Sequence, residues 1–241
     1  MSKKIVCTCD NTFRSYDSYW KTVDFDFEFL SDRYPVGIEY DEQKVRDVFN
    51  FKGDVSKKHF WNSQGNRNII WFYAHLRMAY YFILNPNEEW YWFMDDDVVC
   101  DNWSEFFKAF ENNDADFISY YLFKNKDVKN QPNIPEIDKN THSSTAWFSR
   151  FPGDGDNIDK SDELFGSFFP IVRFSNKSLR HLTNLLINKE HGYSEGFVPT
   201  ILNRDGFKLD TIFNNQSKSD HFDVNKIHIL HKNIKVDWSW I

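Results

Sequence analysis

Residues 90–99 read WYWFMDDDVV, so that five bulky apolar side chains run directly into Asp95, Asp96 and Asp97 before the chain turns apolar again. A short, continuous apolar run predicts a strand covered on both faces. Three carboxylates at the end of such a strand repel one another unless a cation lies among them. If strand geometry continues through the triplet, Asp95 and Asp97 share one face and Asp96 takes the other. Carboxylate oxygens are hard ligands that select Mg2+ or Mn2+ over zinc or copper, and a cation there would draw charge from a departing diphosphate. The plainer alternative is an acidic start to a helix at residue 103, capped by Asp101 or Asn102. That accounts for Asp101 and leaves the triplet unexplained.

Elements that could position these acids follow from the hydrophobic periodicity. KKIVCTCD predicts a first strand ending at Thr8 and Asp10. YPVGIEY suits a strand and DEQKVRDVF a helix. Ile69, Phe72, Tyr73, Leu76, Tyr80 and Ile83 recur at helical spacing behind a Gly65-Asn66 breaker, and Pro86 closes that helix. Phe106, Phe107 and Phe110 form the apolar face of a short helix, and ADFISYYLF a further strand. Residues 124–160 hold most of the breakers and read as a long loop, in which Trp147 and Phe148 stand out as aromatics in polar surroundings. Ser175 is placed to cap a helix over NKSLRHLTNLLINK. EGFVPTILNRDG predicts another helix, with Pro199 tolerable only in its first turn. FKLDTIF and KIHILH read as closing strands. The alternation predicts one α/β domain over residues 1–241, with a mostly parallel central sheet flanked by helices. In such sheets ligands collect beyond the C-terminal ends of the strands, where Asp10 and the triplet both fall.

Composition narrows the classes further. With 41% hydrophobic and 19% aromatic residues the 241-residue chain is globular. A net charge of -7 without a basic block argues against a nucleic-acid partner. Three cysteines, Cys7, Cys9 and Cys100, leave an odd thiol and lack zinc-site spacing, so free thiols in a reducing compartment are expected. The apolar run behind MSKK is too short for a signal peptide, and His75 and Arg77 interrupt the longest apolar stretch, so no transmembrane segment is expected. The default location is cytoplasmic, peripheral to a membrane if the substrate is lipid-linked.

Four stretches, in order, resemble nucleotide-sugar-dependent glycosyltransferases of the GT-A fold, in particular inverting family 2. They are KKIVCTCD as the first nucleotide-binding strand, GNRN at 65–68, FMDDD as the Asp-x-Asp motif, and YSEGFVPTILNRDGFKL as the helix carrying the catalytic acid. ELFGSFFPIVRFS is similar to the acceptor-side loop before that helix. The resemblance implies a single Rossmann-like domain, with a nucleotide-binding half over 1–101 and an acceptor-binding half over 115–241. It implies Thr8, Asp10, Arg67, Asp95 and Asp96 as nucleotide-sugar contacts. Asp95 and Asp97 would be the ligands of Mn2+ or Mg2+, and Glu195 the general base, with Asp162 and Glu163 as second choices. Where the family has an acid pair this chain has Ser194-Glu195. HKNIKVDW is similar to a late segment of glycogenin-like retaining enzymes. His228 and His231 lie three apart on a strand and so on opposite faces; His231, with Lys232 and Lys235 near it, is the one expected at the metal. The implied partners are a nucleoside-diphosphate sugar, a UDP-sugar first, and a glycan or lipid-linked acceptor. Two other classes use similar features: a metal-dependent nucleotidyltransferase or phosphohydrolase, and a non-catalytic carbohydrate-binding module.

Overall fold

A computed structural model describes residues 2–9, 17–31, 38–39, 41–50, 74–124, 164–190, 192, 194–212 and 226–229. Asp10, Arg67, Asp162, Glu163 and His231 lie outside the described residues, as do Trp147, Phe148 and all but the first residue of the predicted loop.

In chain order the elements are β1 (Lys3–Cys9), α1 (Asp17–Trp20), β2 (Glu28–Ser31), β3 (Ile38–Glu39) and α2 (Glu42–Val48). They continue with α3 (Ala74–Leu84), β4 (Trp90–Asp95), β5 (Val98–Cys100), α4 (Trp103–Ala109) and β6 (Phe117–Lys124). The last are β7 (Phe165–Ser175), α5 (Asn176–Ile187), α6 (Ser194–Arg204), β8 (Leu209–Thr211) and β9 (Ile227–Ile229). Among the described residues seven strands form one sheet in the order β3-β2-β1-β4-β7-β6-β8, and β5 pairs with β9 in a separate ribbon. The pairings β2–β3, β1–β2, β1–β4 and β6–β8 are parallel, whereas β7 runs antiparallel to both its neighbours. The expected α/β class with a mostly parallel central sheet flanked by helices is what the chain forms.

The WYWFM run is apolar throughout because β4 sits mid-sheet with a core on each face. Tyr91 and Phe93 enter one core, with α2, α3, α5 and α6. Trp92 and Met94 enter the other, with α1 and α4, where Phe106, Phe107 and Phe110 are also buried. Asn102, rather than Asp101, caps α4, its side chain accepting from the Glu105 amide at 3.0 Å. Ser175 caps α5 as expected, accepting from the Ser178 amide at 3.1 Å. Cys7 and Cys100 are buried. No helix among the described residues is long and apolar enough to cross a membrane.

Pro199 departs from expectation, since it is the sixth residue of α6, beyond the first turn. A proline there cannot donate to the carbonyl four residues back, that of Glu195. The Ser167 hydroxyl of β7 donates to that carbonyl instead, at 3.0 Å. A tertiary contact therefore meets the need that local rules would leave open. FGSFFPIVRFS, where order returns after the breaker-rich stretch, is strand β7.

Candidate functional site

Strands β1 and β4 run side by side and finish together, with Thr8 directly opposite Asp95. One carboxylate oxygen of Asp95 accepts from the Thr8 hydroxyl at 2.9 Å and from the Arg77 guanidinium of α3 at 3.0 Å. The Thr8 hydroxyl also lies 3.0 Å from the Met94 carbonyl, so a single proton serves two acceptors. Thr8 is buried and braces Asp95 from below. The Arg77 side chain is 3% exposed while that of Asp95 is 41% exposed. A buried cation thus stands behind a carboxylate that opens to solvent.

Asp96 and Asp97 do not continue the strand. They form the turn between β4 and β5 and are 5% and 8% exposed. The expected alternation, with Asp95 and Asp97 on one face, therefore stops at Asp95, because only extended backbone imposes it. The Asp96 carbonyl accepts from the Trp20 indole at 2.8 Å. Beyond the turn, Val98 of β5 lies opposite Ile229 of β9, and Val99 opposite His228.

Glu195 is the second residue of α6 and is 8% exposed. One of its carboxylate oxygens accepts from the Phe169 amide at 3.2 Å. That amide is available because the β6–β7 register shifts between Ser119 and Tyr121, which pair with Val172 and Phe168. Met94 lies opposite Ile171, two residues from Phe169. Glu195 is accordingly tethered near the end of the sheet where Asp95 sits. Gly192 leads into this helix under tight packing, since a Cβ there would approach the Phe197 side chain to 2.7 Å.

Helix α3 links the two acids. Its His75 Nδ1 lies 3.0 Å from the Ser194 hydroxyl at the start of α6, and two residues on Arg77 holds Asp95. Sequence reasoning used His75 and Arg77 only to exclude a membrane span. The overlooked signal was two ionisable side chains inside AHLRMAYYFIL, because a buried charge requires a partner. Trp20 carried no such signal.

Among the described residues no group of three or more His, Cys, Asp or Glu side chains converges as a cation site. The donors at the turn still fit Mg2+ or Mn2+ in kind. Such ions are commonly held by one or two carboxylates, with phosphate oxygens and water completing the shell.

No protein-family model and no curated protein matches the chain. Among solved structures it is similar to core-mannan synthase A from Aspergillus fumigatus in an Mn/GDP form, at 10% identity and a TM-score of 0.41, over 87% of this chain and 72% of that one. It is also similar to the galactosyltransferase LgtC in complex with donor and acceptor sugar analogues, at 10% identity and a TM-score of 0.38, again over 87% and 72%. A third is mouse xyloside xylosyltransferase 1 in an apo form, at 11% identity and a TM-score of 0.41, over 93% and 82%. At these TM-scores and identities the similarity says nothing of what this chain binds or transfers.

Proposed function

We propose that this chain is a glycosyltransferase of the GT-A type, dependent on Mn2+ or Mg2+, that moves a sugar from a nucleoside diphosphate, UDP first, to an acceptor hydroxyl on a glycan or lipid-linked glycan. The observation that carries this reading is the half-exposed Asp95 carboxylate at the shared end of β1 and β4, backed by Arg77 and followed at once by the turn of Asp96 and Asp97. Ligands of open α/β sheets gather at such strand ends.

Asp97 and Asp95 would hold the cation, and Asp96 the donor sugar. His231 is proposed as a further ligand from the sequence, in which it follows two residues after Ile229, the β9 residue opposite Val98. A cation so held supplies Lewis-acid neutralisation of the diphosphate. Thr8 and Arg77 keep Asp95 aimed, so the site is preorganised before the donor arrives. Asp10 and Arg67 are assigned to the nucleotide and diphosphate through the sequence resemblance.

For transfer with inversion, the acceptor oxygen attacks the anomeric carbon as the bond to the diphosphate breaks, and the acceptor proton passes to a base. Glu195 is the first candidate, supported by its tether near the strand ends; Asp162 and Glu163 follow.

The test is a thermal shift with UDP, with and without Mn2+. The wild-type protein should gain about 5 °C or more at ligand about 100-fold above Kd. Asp97→Ala should lose that gain while keeping its circular dichroism spectrum. An unchanged shift in Asp97→Ala rejects the reading. Release of phosphate or pyrophosphate instead of UDP would favour a phosphohydrolase or nucleotidyltransferase, and glycan binding without nucleotide a binding module. The anomeric configuration of the product, read by NMR, tests inversion.

A further inference from the structure

Helix α1 has four residues, too few to hold itself in water. What fixes it is the reach of its last two side chains across to the acidic turn. Trp20, 6% exposed, sends its indole N–H to the Asp96 carbonyl, in the turn itself, at 2.8 Å. The Tyr19 hydroxyl accepts from the Cys100 amide at 3.0 Å and from the Trp103 indole at 2.8 Å, and donates to the Cys100 carbonyl at 3.1 Å. One phenol thereby uses its one donor and both acceptor positions. Burial pushes the Tyr19 pKa up, which keeps that donor proton in place.

Three-residue β5 pairs with β9. Tyr19 gives it a second support, engaging both the N–H and the C=O of Cys100 much as a neighbouring strand would. The Trp20 ring stacks on Trp103 at 6.2 Å with an interplanar angle of 20°, and meets Phe27 edge-on at 5.0 Å. The turn bearing Asp96 and Asp97 is thus supported within itself by Trp20 and just beyond itself by Tyr19. Both supports act on backbone atoms, so they set where the carboxylates stand without consuming carboxylate oxygens.

We infer that Tyr19 and Trp20 are positioning residues that hold the Asp95–Asp97 turn in the shape that receives a cation-bound nucleoside diphosphate. The inference rests on the reading of that turn as the donor site. Only residues 10–16 separate α1 from the end of β1. Tyr19 and Trp20 thus act as a latch between α1 and the turn.

The experiment compares wild type, Tyr19→Phe, Trp20→Phe and Phe110→Leu. Phe110 belongs to the same aromatic core and is 2% exposed, so its truncation controls for lost stability. Binding of Mn2+ in the presence of UDP is followed by electron paramagnetic resonance, and exchange of the amides of residues 96–100 by hydrogen–deuterium exchange. Tyr19→Phe and Trp20→Phe should each weaken Mn2+ binding about 10-fold, with faster exchange across the turn. Phe110→Leu should bind as wild type despite a lower Tm. Wild-type affinity in both latch variants, or an equal loss in Phe110→Leu, overturns the inference. Absence of binding by the wild-type protein overturns the donor-site reading and this inference with it. Should Tyr19→Phe fail to fold, Trp20→Phe decides, since it loses one hydrogen bond rather than three.

Discussion

Two buried arginines near opposite ends of β4 solve different problems. Arg77 stands behind the Asp95 carboxylate, which is 41% exposed. Arg173, on β7 opposite Trp92, donates to the carbonyls of Phe110, Asn113 and Ala115 at 3.0, 2.8 and 2.8 Å and lies over the Trp90 ring at 4.1 Å. Burial pulls its pKa down to about 10, against the opposing pull of Asp210, Asp114 and Asp116. Those carbonyls run from the C-cap of α4 to the entry of β6, so a fixed cation there satisfies acceptors that the helix end leaves open. At Arg173 both terminal guanidinium nitrogens donate to backbone carbonyls inside the protein. At Arg77 the opposing charge remains open on one side, as a ligand site requires.

Replacing each arginine by methionine tests that contrast directly. Arg173→Met should cost about 3 kcal/mol or more in a urea titration, because three buried acceptors lose their donor at about 1–3 kcal/mol each with partial relief from water. Its affinity for UDP with Mn2+, measured on the folded fraction, should stay within about twofold of wild type. Arg77→Met should show the reverse pattern. Stability falls by about 1 kcal/mol, since water can reach Asp95 in its place, while affinity for UDP with Mn2+ drops about 10-fold as Asp95 loses its anchor. A loss of affinity in Arg173→Met equal to that in Arg77→Met would erase the distinction between the two ends.

A smaller effect sharpens the picture on the turn side. Burial raises the Cys100 thiol from 9.0 to about 11. The folded thiol stays protonated while the unfolded one ionises, so the associated stability is complete below pH 9 and is lost as pH rises towards 11. Tm should fall over that interval, and Cys100→Ala should fall less steeply.

Several elements were legible because their signals are local. The two-sided apolar strand ending at Asp95, the Phe106/Phe107/Phe110 face of α4 and the Ser175 cap each need only a few neighbouring residues to be read. The links that make a site were not legible, because their partners are far apart in the chain. His75 and Ser194 are 119 residues apart, Thr8 and Asp95 87, and Trp20 and Asp96 76. Pro199 is the clearest failure of a local rule: its helix persists because Ser167, 28 residues before Glu195, supplies the missing donor.

By itself, then, the amino-acid order determined where strands and helices would form and that acids would crowd the end of a buried strand, since periodicity, caps and breakers act over a few residues. Tertiary structure decided which acid opens to solvent, which are folded into a turn, and which is tethered to the sheet. Those outcomes depend on hydrogen bonds and ion pairs between segments that meet only once the sheet has closed.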